Sequence, residues 1–190
     1  MDAMNTLQNQ FLIAMPSLED PFFKRSVVYM CEHNEEGAMG LVINVPVDLS
    51  VESLLQQIEL QDQVEMIRED LDRPVYQGGP VSQERGFVLH SPVKGFSSSL
   101  KVSEELMVTT SKDVLDTLGT DSQPSDYIVT LGYASWEAGQ LEQEIAENSW
   151  LTLPASTDII FSTPIHKRWE AAAKSLGIDI WQLSNQVGHA

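Results

Sequence analysis

Apolar residues along this chain come in short blocks rather than long stripes. Residues 11–15, Phe-Leu-Ile-Ala-Met, form a continuous apolar run stopped by Pro16, the pattern of a short buried strand. Ser17-Leu18-Glu19-Asp20-Pro21 reads as a turn. Residues 26–31 carry Val27, Val28 and Tyr29, and residues 39–45 carry Val42, Ile43 and Val45. The polar Glu32-His33-Asn34-Glu35-Glu36-Gly37 between them completes a hairpin signature.

Helical spacing appears next. Val51, Leu54, Leu55 and Ile58 follow i, i+3, i+4, i+7 behind Ser50, a ready N-cap. The charged, aperiodic stretch 61–73 reads as a surface connection. Strands are expected at 75–77 and 86–90 around the loop Gly78-Gly79-Pro80-Val81, and another at 105–109. Ser111-Lys112-Asp113 caps a helix carrying Val114, Leu115 and Leu118 and ended by Gly119. Residues 127–131 make a further strand, 139–148 a helix with Leu141 and Ile145 inward, and 150–154 an extended segment. Thr163-Pro164 opens a helix that runs through Trp169, Ala172, Ala173 and Leu176 to Gly177. Crossovers this short do not suit successive βαβ units. The pattern predicts one α+β domain over 1–190, a mixed, mostly antiparallel, barrel-like sheet flanked by short helices.

Charge narrows the function classes. The 190 residues include 28 Asp and Glu against 11 Lys and Arg, a formal net charge of −17. That sign repels phosphate at long range, so direct nucleic-acid binding is disfavoured. The acidity reads as a solubilising surface in preference to an acidic binding face. One cysteine, Cys31, excludes an intramolecular disulfide framework and zinc sites that need two thiolates. With no signal-peptide pattern at the start and no run of the ~20 apolar residues a span needs, the expected location is the cytoplasm, without a membrane partner.

The chemistry-bearing residues are scattered. Gly78 and Gly79 permit close backbone approach to an anion, but neither nucleotide-binding glycine motif is present, and a tight turn explains them. Cys31 and His33 form a C-x-H pair that would share one side of a regular strand, too few ligands for a metal. The nucleophile arrangements to test are Cys31 with His33 or His90, and Ser26 with Asp20. Ser98-Ser99-Leu100-Lys101 matches S-x-x-K in a serine-rich loop without its companion motifs. Glu137, Glu144 and Glu147 read as a charged solvent face, while Glu142, beside inward Leu141, stands apart as a hydrogen-bonded group. Trp136, placed between strand and helix, is the tryptophan expected on an exposed binding surface. No cofactor or metal is implied.

Several blocks together carry a resemblance. These are Met15-Pro16-Ser17-Leu18-Glu19-Asp20-Pro21-Phe22-Phe23, Ser26-Val27-Val28-Tyr29, Glu32-His33-Asn34 and Gly37-Ala38-Met39-Gly40-Leu41-Val42-Ile43-Asn44. They continue through Gly78-Gly79-Pro80-Val81, Phe87-Val88-Leu89-His90, Gly132-Tyr133-Ala134-Ser135-Trp136, Gly139-Gln140-Leu141-Glu142 and Asn148-Ser149-Trp150-Leu151. In this order and over nearly the whole length, the chain resembles the AlgH/YqgE family of bacterial proteins of uncharacterised function. The resemblance implies one α+β domain with a barrel-like sheet and a transcriptional-regulator label drawn from exopolysaccharide control. It supplies no catalytic residue and no cofactor.

The expected function is therefore a non-catalytic regulator or binding domain for a protein or small molecule, acting on transcription indirectly if at all. Its surface would gather Ser17 and Asp20, His33 and Asn34, Gly78 and Gly79, and Trp136 and Gln140. The alternative is a hydrolytic or thiol-dependent enzyme using Cys31 or Ser26 with a histidine.

Overall fold

The computed structural model describes residues 6–58 and 71–177. Most of the expected connection at 61–73, and the tail from 181 onward, lie outside the described residues. Strands β1 (Gln10–Ala14), β2 (Val27–Asn34) and β3 (Gly37–Val42) open the fold, followed by β4 (Pro46–Ser50), α1 (Val51–Ile58), β5 (Pro74–Gln77) and β6 (Val81–His90). Then come β7 (Ser99–Lys101), β8 (Met107–Thr109), α2 (Asp113–Thr117), β9 (Tyr127–Glu137), α3 (Gln140–Ala146), β10 (Trp150–Pro154), α4 (Thr157–Phe161) and α5 (Arg168–Ser175). The fold is α+β. Its curled half-barrel sheet follows the order β10-β1-β2-β3-β9-β6-β8-β7. β5 joins β9 in parallel, the one parallel pair among the described strands, and β4 pairs with β5.

Both faces of the sheet centre are covered, which is why β1 and β2 read as unbroken apolar runs rather than as alternation. Phe11, Ile13, Val27, Tyr29 and Cys31 enter one core with Ile159, Ile160, Trp169, Ala172 and Ala173 of α4 and α5. Their neighbours Leu12, Ala14, Val28 and Met30 enter a second core with Trp136, Leu141 and Trp150. A third core packs Leu54 and Leu55 of α1 and Val114 of α2 against Val75, Val88 and Val129.

Several elements differ from their expected extents. The hairpin turn is only Glu35-Glu36, because β2 continues through the polar Glu32, His33 and Asn34. β9 runs six residues past its apolar start and takes in Trp136. The serine-rich stretch at 98–101 contains edge strand β7 instead of a loop. Thr163-Pro164 opens a short 3-10 turn, Ile165–Lys167, and α5 begins only after it.

Candidate functional site

β2 carries a bulge: Met30 pairs with Gly40, yet Glu32 pairs with Met39, so the register slips at Cys31. One extra residue inverts every side chain beyond it. Cys31 consequently belongs to the first core, whereas His33 turns to the opposite face beside Leu7 and α3. The expected same-side Cys31–His33 pair does not exist.

His33 is buried and fully engaged. Its Nδ1 accepts the Leu7 N–H at 2.9 Å, and its carbonyl accepts the Thr6 hydroxyl at 3.0 Å. This network assigns the ring proton to Nε2, which donates to Glu142 Oε2 at 3.0 Å. Glu142 lies on α3 with its side chain 54 % exposed. Its own backbone N–H first, and the His33 donor second, hold its carboxyl below the usual glutamate range. His33 thus joins the N-terminal segment, the hairpin and α3. Asn34, at the exposed hairpin end, accepts the Glu36 N–H at 2.8 Å.

Trp136 is 4 % exposed, contrary to its expected place on the surface. Its indole N–H and that of Trp150 both donate to Glu144 Oε1, each at 3.0 Å, while Gln140 donates to Glu144 Oε2 at 3.0 Å. Glu144 is therefore not a plain solvent-face charge but the shared acceptor of two buried indoles. Phe23 closes the cluster, stacked on Trp136 at 6.1 Å and edge-on to Trp150 at 5.6 Å. Gln140 itself is exposed and also accepts the Glu137 N–H, which fixes the β9–α3 junction.

The turn at 17–21 is delivered to the same face by Phe22 and Phe23, which pack on the second core. Ser17 and Asp20 are exposed. Asp20 Oδ1 accepts the Phe22 and Phe23 N–H groups at 2.8 and 3.1 Å, an Asx-type turn. Ser26 is buried and donates to the Phe23 carbonyl at 2.8 Å. The two are not a nucleophile–base pair, because each is occupied by turn backbone.

Gly78 and Gly79 are buried, not surface groups. A Cβ at Gly79 would sit 1.9 Å from the Tyr133 carbonyl carbon, and one at Gly132, where φ is +80°, would sit 2.4 Å from the Gly79 oxygen. Here two backbones cross in contact, which only glycine permits. The remaining reactive types are also enclosed. Burial, with Glu32 charge second, pushes the Cys31 thiol far above its ordinary range, and its Sγ lies a long 3.9 Å from the Tyr29 carbonyl oxygen. His90 is buried between the Ser91 carbonyl and Thr109 Oγ1, both at 2.7 Å, and burial lowers its pKa. Among the described residues, neither His33 nor His90 hydrogen-bonds to Cys31 or Ser26, so those pairings of nucleophile and base are not formed.

Comparison with known sequences matches residues 11–181 to the family model described as AlgH-like. The chain belongs to the AlgH-like family. Among its relatives, the UPF0301 protein of Serratia proteamaculans is 60% identical over 97% of this chain and 99% of its own. That of Proteus mirabilis is 61% identical over 98% and 100%. The solution structure of AlgH from Pseudomonas aeruginosa superposes with a TM-score of 0.79 at 43% identity, covering 100% of this chain and 99% of that one. A Corynebacterium diphtheriae protein, DIP2367, solved by X-ray crystallography, shares the fold at TM-score 0.71 and 20% identity, over 97% and 94%. The relatives are uncharacterised, and the family brings no defined catalytic function.

In this AlgH-like chain, sequence reading passed over one group of residues. Arg73, Tyr76, Tyr127 and Arg168 line a cavity of about 300 Å³ between β5, β9 and the start of α5. No motif marks them, since they come from three distant segments. The only signal available was the scarcity of basic residues in so acidic a chain. None of the helices among the described residues is long and apolar enough to cross a membrane.

Proposed function

We propose that this AlgH-like chain is a non-catalytic cytoplasmic binding domain that recognises a protein partner through the face built on α3, and that any effect on transcription is indirect. The observation that carries this reading is convergence. Phe23 on Trp136, and His33 on Glu142, tie the 17–21 turn, the hairpin end and the β9–α3 junction to one face. Rigid packing beneath and polar side chains above make a preorganised surface, which lowers the ordering cost of association. Of the eight residues expected there, Ser17, Asp20, Asn34 and Gln140 are exposed to meet a partner, His33 and Trp136 support the platform from below, and the buried Gly78 and Gly79 take no part.

Charge sets the partner's chemistry. Glu19, Glu35, Glu36 and Glu137 accompany those four residues at the surface. A docking protein meets mostly carboxylates, so it carries basic residues and associates faster at low salt. Duplex DNA meets the same field with the wrong sign.

The test is capture of partners with the wild-type chain, followed by reconstitution with the purified partner. Replacing the exposed Glu35, Glu36 and Glu137 by lysine should leave the circular dichroism unchanged and weaken the reconstituted complex by about tenfold or more, a loss of at least one good contact. An affinity equal to wild type would remove this face from the account.

A further inference from the structure

Arg168 is 4 % exposed, yet its guanidinium has no carboxylate within ion-pair distance among the described residues. Its Nε donates to the Thr163 carbonyl at 3.0 Å and its Nη1 to the Ile43 carbonyl, and Nη2 has no partner among the described residues. Two carbonyls supply dipoles but no countercharge. Among the described residues its charge is thus met by carbonyl dipoles and the Tyr76 ring face, with no carboxylate, an arrangement that suits an anionic ligand.

A second guanidinium faces the same space. Arg73 lines the cavity with its carbon 4.4 Å from the Tyr127 ring centroid, and Arg168 lies 5.3 Å from that of Tyr76. Stacking on aromatic faces fixes the planes of both groups and lets their N–H edges address a ligand. Arg73 Nη1 donates a long 3.4 Å bond to the Tyr127 carbonyl, and Arg73 has no carboxylate partner among the described residues. Asp126 is the one acidic side chain in the lining among the described residues, so there two cations face one anion in a chain whose overall balance is 28 acids to 11 bases.

We propose that this cavity binds a small organic oxyanion, a carboxylate or phosphate monoester, held by Arg73 and Arg168 with its flat apolar body against Tyr76 and Phe161. Forked N–H pairs suit the paired oxygens of either group. A volume of about 300 Å³ admits a small metabolite rather than a peptide or polymer. The site is separate from the α3 face, so each can fail without the other.

NMR titration of the full chain with phenyl phosphate, benzoate and phenol tests the assignment. Phenyl phosphate or benzoate should shift the Arg73 and Arg168 side-chain N–H signals saturably, and phenol should not. The tighter of the two anions identifies the ligand class. Arg73→Gln, at a half-buried position that need not disturb the core, should weaken binding by about tenfold or more, the loss of one charge-assisted contact. Asp126→Asn should strengthen it. No saturable shift with either anion, phenol binding as well as the anions, or unchanged affinity in Arg73→Gln would overturn the proposal.

Discussion

His33 Nε2 and Glu142 Oε2 lie 3.0 Å apart, joining a hairpin strand to a helix 109 residues further along the chain. The contact exists because a bulge at Cys31 inverts the end of β2. Glu142→Gln should cost about 0.5 kcal/mol in urea unfolding at neutral pH, since the carboxylate is half in water. The native carboxyl is depressed below the ordinary 4.5. Its contribution is therefore complete above that pH and disappears as the pH falls through the native pKa, so the gap between variant and wild type should close in acid. A gap that widens in acid would contradict the assigned bond.

Glu144 should matter more than Glu142 despite its place on a short helix. Glu144→Leu strands two buried indole N–H groups, at about 1–3 kcal/mol each. Glu144→Gln keeps an acceptor oxygen and should lose much less. Denaturant midpoints, with tryptophan fluorescence as the probe, separate these outcomes.

Cys31 should resist thiol reagents in the folded protein. Burial opposes thiolate formation and blocks access, so modification by a disulfide reagent should wait for unfolding. Rapid labelling under native conditions would show the core around β2 to be open.

His90 should make the fold sensitive to mild acid. Burial lowers its native pKa from 6.5, so the unfolded chain takes up that proton first as the pH falls. Stability is retained above about pH 6.5 and lost below it toward the native pKa. His90→Gln, which does not titrate, should be less stable than wild type at about pH 7.5 but lose less between about pH 6.5 and pH 5. Equal losses would assign the sensitivity to other groups.

Much of this architecture was legible in residue order. Apolar blocks located β1, β2, β3 and β9, and Ser50 marked the start of α1, where its hydroxyl accepts the Ser53 N–H at 3.1 Å. The site was legible only in part. Periodicity assumes a regular strand, so it put Cys31 and His33 on one side and gave no sign of the bulge. Trp136 looked exposed because β9 seemed to end at Leu131. Its continuation depends on Gly132 at φ +80° passing the Gly79 backbone, a long-range contact without a local signature. No local pattern marks Arg168, whose burial follows from reaching the Ile43 carbonyl across 125 residues.

Site-directed photo-crosslinking in cells tests the central claim most directly. A photoreactive residue at Asn34, at the exposed hairpin end, or at Gln140, exposed on α3, should capture the same partner protein. The same residue at Asp121, exposed beyond α2, should not. No adduct from Asn34 and Gln140, or identical adducts from all three positions, would contradict the assignment of that face as the binding surface.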